Sequence, residues 1–140
     1  MRSSSLRARG EPFFSLRLGG GGYDPGMSEE TDPIVVGWTT VSQSLEAEDL
    51  AERIVASGAA ACVQVEGPTR SFYTWEGRVH REGEMRVWVK TTLSAEPRLR
   101  EVLRREHPYE IPQWVAVRAE AVLPEYADWV RECTRSAPQG

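Results

Sequence analysis

The run from Ala59 to Thr92, AAACVQVEGPTRSFYTWEGRVHREGEMRVWVKTT, constrains the fold more than any other part of the chain. It reads as two long antiparallel strands. The first goes from near Ala60 to Gly77 and breaks at Gly67-Pro68, since proline cannot donate to a ladder. The second goes from Glu84 to Thr91, and the join is expected near Gly83. Side chains alternate across a strand, so Ser71, Tyr73 and Trp75 share one face, and Phe72 and Thr74 the other. In the second strand Met85, Val87 and Val89 point to a core under helices, while Arg86, Trp88 and Lys90 point away from it. A tryptophan among charges, with Tyr73 and Trp75 nearby, predicts an aromatic surface that something else covers.

The remaining elements arrange themselves around this hairpin. Ile34–Thr40 is a short apolar, β-branched run after Pro33, expected as a central strand buried on both faces. Ala47, Leu50, Ala51, Ile54 and Val55 recur at helical spacing and predict a helix from Ser44 to Ser57. Ser42 or Ser44 can cap it, and Gly58 suits its C-terminal turn. A second helix is expected from Ala95 to Glu106, capped by Ser94 and striped by Leu99, Val102 and Leu103. It must stop at His107, because the residue before a proline is pushed out of the helical region. A strand from Trp114 to Val122 and a last helix after Pro124 complete the order. The pattern β-α-β-β-α-β predicts an α+β, ferredoxin-like antiparallel sheet with an extra C-terminal helix.

At 140 residues the chain is expected to hold one domain, residues 27–140, preceded by a tail. Residues 1–26 carry four arginines against two acids, with serine and glycine runs, the composition of a disordered extension. Met27 is the expected natural start. From there on 13 basic residues face 19 acidic ones, against a nucleic-acid binder, which needs a basic face. No apolar run is long enough for a membrane span. Cys62 and Cys133 lack a zinc spacing and read as reduced core thiols of a cytoplasmic protein. No triad, nucleophile elbow or phosphate loop appears, so no enzyme is expected.

Ala60-Ala61-Cys62-Val63, Ser71-Phe72-Tyr73-Thr74-Trp75-Glu76-Gly77, Val89-Lys90-Thr91-Thr92 and His107-Pro108-Tyr109-Glu110-Ile111-Pro112 stand in register across residues 34 to 133. Together they resemble the CutA family, the divalent-cation-tolerance proteins. The resemblance implies a compact homotrimer in which the long hairpin pairs with neighbouring copies. It also implies an association with copper or another divalent cation. Gln64 stands where the family commonly has Asn, and Trp38 where some members carry a cysteine.

Within the resemblance, His107 is the first candidate metal ligand, because neutral imidazole suits Cu(II) and Zn. Its bland alternative is a helix-terminal histidine packed on Pro108. Glu110 could add an oxygen ligand or simply cap local backbone. Tyr73, Trp75, Lys90 and Tyr109 could line a cleft between subunits, with Lys90 supplying positive charge to a small ligand. Equally, they could form an interface core with a snorkelling lysine. His80 is expected in a charged loop. Two functions follow: a trimeric cation-binding protein, or a trimeric signalling module that senses a small molecule for an unknown protein partner.

Overall fold

The computed structural model describes residues 31–135; the expected tail at 1–26 falls outside them. Four strands, β1 (Ile34–Val41), β2 (Cys62–Trp75), β3 (Arg78–Thr92) and β4 (Val115–Arg118), form one sheet in the order β2-β3-β1-β4. Every pairing is antiparallel. The helices are α1 (Ser44–Ala56), α2 (Glu96–Glu106) and α3 (Pro124–Thr134). This is the expected ferredoxin-like α+β fold.

The two periodicities meet where predicted. Ala47, Leu50 and Ile54 of α1 and Leu99, Val102 and Leu103 of α2 bury against Val41, Val87 and Val89. Burying each large aliphatic side chain stabilises the fold by about 1.5–3 kcal/mol. The opposite sheet face is covered at one end by α3, whose Ala127 and Val130 pack on Ile34. In its middle, Trp38 lies against Trp88 with ring centroids 5.3 Å apart, and the Arg86 guanidinium sits 5.5 Å from the Trp88 ring.

Several expectations are corrected. The hairpin does not turn near Gly83, which pairs with Arg70 inside the ladder. It turns at Glu76-Gly77, flanked by the Trp75–Arg78 pair. Both turn residues have positive φ, 53° and 77°, which suits the right-handed twist of a two-residue hairpin turn. Glycine takes such a φ without steric cost, whereas at Glu76 it costs about 1–2 kcal/mol. His80 therefore lies in β3 rather than in a loop. The bend at Gly67-Pro68 is present as a cis peptide within a register shift between Glu66 and Thr69. Neither α1 nor α2 has a side-chain cap: Ser42 bonds Glu46, and Ser94 bonds Asp32. The fourth strand is only Val115–Arg118. Cys133 is exposed rather than core, because the buried stripe of α3 is Ala127, Val130 and Thr134.

β1 accompanies β3 only from Met85 to Thr92. Beyond that, the pairs from Thr69–Glu84 to Trp75–Arg78 project as a two-stranded ribbon.

Candidate functional site

The site lies where this ribbon leaves the sheet. His107 ends α2 in extended conformation, as the residue before Pro108 must. Segment 107–113 then passes the end of β1. It faces the even-numbered side of β3, where alternation places Glu82 and Glu84. Together these elements enclose a cleft of about 540 Å³. Its walls include Tyr73, Trp75, Glu82, Glu84, Tyr109 and Glu110, with Thr40 and Gln113 at the β1 end.

His107 stands behind the cleft-lining Tyr109, and the geometry fixes its state. Its Nδ1 accepts the Tyr109 N–H at 3.1 Å, so Nδ1 carries no proton. Its Nε2 donates to the Thr40 carbonyl at 3.1 Å and lies 2.9 Å from the Thr39 hydroxyl. The ring is therefore neutral. Burial lowers its pKa from the usual histidine value, against smaller raising effects from the Thr40 carbonyl, Glu46 and Glu84. A second proton would also set Nδ1–H against the Tyr109 N–H.

Tyr109 carries this order into the cleft. Its hydroxyl donates to Glu84 Oε2 at 2.6 Å. Burial, then the carboxylate, pushes its pKa well above the ordinary phenol value. Glu84 is only 6% exposed. On the ribbon, the Tyr73 hydroxyl donates to Glu82 Oε1 at 2.5 Å, and this bond raises its pKa. The Tyr73 ring stacks on His80 with 12° between planes. The Thr40 hydroxyl donates to Gln113 Oε1 at 3.2 Å.

The candidate residues thus divide. Tyr73, Trp75, Tyr109 and Glu110 share the cleft lining, and His107 stands behind it. Lys90 does not join them. It pairs with Cys62 six residues along β3 from Glu84, about 20 Å at strand rise, and its Nζ bonds Gln64 Oε1 at 2.6 Å. The positive charge expected there is replaced by negative charge from Glu82, Glu84 and Glu110. The alternation in β3 carried that signal. Placing the turn at Gly83 hid it by cutting Glu82 out of the strand. Among the described residues no group of three His, Cys, Asp or Glu side chains is arranged to hold a metal ion. No helix among them is long and apolar enough to cross a membrane.

Comparison with known proteins places these features in context. The family model described as CutA1 divalent ion tolerance protein matches residues 35–133. Protein CutA of Mus musculus is 32% identical over 117 residues, 84% of this chain and 63% of that protein, so the chain spans less than two thirds of its length. The divalent-cation tolerance protein CutA of Thermus thermophilus is 38% identical over 95 residues, 68% of this chain and 92% of that protein. The crystal structure of CutA1 from Oryza sativa aligns with a TM-score of 0.73 at 30% identity, covering 76% of this chain and 98% of that one.

Proposed function

Because this chain belongs to the CutA1 divalent ion tolerance family, we propose that it works as a cytoplasmic homotrimer that binds a divalent cation weakly and catalyses no reaction. The working unit is the 27–140 domain. The projecting ribbon is the observation that carries assembly. A two-stranded ribbon is marginal alone in water, and this one exposes Phe72 and Val79 to 61% and 77%. On the opposite sheet edge, β4 exposes Val115 and Val117. Ribbon and edge supply unpaired backbone and apolar surface that neighbouring copies can cover. Light scattering at micromolar concentration should give three times the chain mass; a monomer would remove the proposal.

For the cation, His107 and Glu110 are the proposed ligands and Cu(II) the first ion to test. The lowered pKa of His107 keeps its ring neutral, as a ligand must be. Yet both ring nitrogens are engaged and no three-donor group exists within the described residues of one chain. A single chain therefore does not fit a tight ion site, and donors from other subunits must complete it. Calorimetric copper titration should show weak binding that falls in His107→Gln and in Glu110→Gln. Isotherms identical to the parent protein's would remove both residues from the site.

A second reading is supported by the cleft itself. Its volume and aromatic lining suit a small organic molecule, sensed near the ribbon that assembly would engage.

A further inference from the structure

The cleft's lining is chemically one-sided. Three carboxylates, Glu82, Glu84 and Glu110, line it, and no lysine, arginine or histidine among the described residues does. Within the described residues, none of the three takes part in an ion pair. Glu84 is the telling member. It is more than nine-tenths buried, and among the described residues its one donor is the Tyr109 hydroxyl on Oε2. Glu84 lines the cleft, and its Oε1 has no hydrogen-bond donor among the described residues. Leaving half of a buried carboxylate unsatisfied is costly, so the pocket is built for a group that brings positive charge and N–H donors. A bare metal ion is the weaker occupant, because the carboxylates are not grouped to share one ion. Three carboxylates around one cleft, not gathered at one point, suit instead a molecule with several charged nitrogens along its length. The aromatic rings of Tyr73, Trp75 and Tyr109 supply what its hydrocarbon parts need, and their faces attract ammonium groups as well.

We propose that this cleft binds an extended alkyl polyamine, with one ammonium donating to Glu84, others to Glu82 and Glu110, and the methylene chain against Tyr73 and Trp75. The proposal rests on the small-molecule reading of the cleft and names its ligand class. Carboxylate pairing sets the charge pattern, and the aromatic walls favour the hydrocarbon segments between the charges.

The test is calorimetric titration of the full chain with spermidine at low ionic strength, where exposed charges are least screened. Binding should weaken about tenfold in Glu84→Gln, since a charge-assisted bond becomes a neutral one. The Tyr109 hydroxyl can still donate to the glutamine oxygen, so the fold should persist. Glu82→Gln, at an exposed position, gives a milder loss and serves if Glu84→Gln misfolds. Glu48→Gln, on the exposed side of α1, should change nothing. Equal weakening by Glu48→Gln would mean that spermidine merely coats an acidic protein, and would overturn the site. So would spermidine affinity unchanged in both Glu84→Gln and Glu82→Gln. Binding of a neutral or anionic indole probe, lost in Trp75→Ala while spermidine gives no heat, would overturn the polyamine class yet keep the small-molecule cleft. No heat from either probe would overturn both. No spermidine binding, with a changed light-scattering mass in Glu84→Gln, would overturn the proposal and assign the carboxylates to contacts between copies.

Discussion

Replacing His107 with alanine should lower folding stability by about 3 kcal/mol, the largest effect expected of any polar residue here. The change leaves the Tyr109 N–H, the Thr40 carbonyl and the fully buried Thr39 hydroxyl short of a partner. Each buried group so orphaned costs about 1–3 kcal/mol, offset where water can enter. For a domain of this size the melting temperature should fall by about 10 °C, measured at fixed chain concentration because assembly would shift it. The same ring gives a pH dependence with a definite sign. Unfolded, it titrates near 6.5; folded, its pKa lies below that. Between the two, the unfolded chain holds the proton and the native chain does not. Stability is then full above about pH 6.5 and falls as pH drops through the window below it. Melting curves from pH 7.5 to 5 should show this slope in the parent protein, reduced in His107→Ala. An unchanged slope would mean that other groups cause it.

The second large effect is expected at Gly37, in the middle of β1. A Cβ there would lie 2.5 Å from Trp114 Cη2 and 2.7 Å from the Val115 carbonyl oxygen. Neither neighbour gives way cheaply. The Trp114 indole N–H is tied to Glu96 Oε2 at 2.8 Å, and Val115 sits in the ladder opposite Trp38. Gly37→Ala should therefore cost about 2–3 kcal/mol by overpacking. The loss should appear first as faster hydrogen exchange in β4, with β2 and β3 still protected. Gly83→Ala is the control. Its added Cβ meets nothing within 4 Å, so stability should change by less than about 0.5 kcal/mol. If Gly37→Ala is equally silent, the close approach of Trp114 does not constrain β1.

Alternation and helical spacing made the element order legible, because both patterns are local. Met85, Val87 and Val89 could be assigned to the core face from sequence alone, and Val87 and Val89 are fully buried there. Caps and turns were less legible. Ser94 has the right chemistry to cap α2, but Asp32, distant in sequence, takes both its hydroxyl and its N–H. Gly83 and Gly77 are equally plausible turn glycines by composition. Pairing of Trp75 with Arg78 decided between them, and that depends on register along the whole hairpin.

Residue types at short spacings were enough to set the fold, the family phrases and the aromatic content of the cleft. The cleft's charge arose only on folding. The carboxylates of Glu84 and Glu110 are 26 residues apart in the chain, and Lys90, six residues from Glu84, ends up far from them. Strand geometry explains it: six residues of extended chain carry a side chain about 20 Å away, while the turn at His107-Pro108 brings Glu110 to the same cleft as Glu82 and Glu84. Folding also decided the state of His107, whose two ring nitrogens are committed by backbone and hydroxyl groups that no local pattern could reveal.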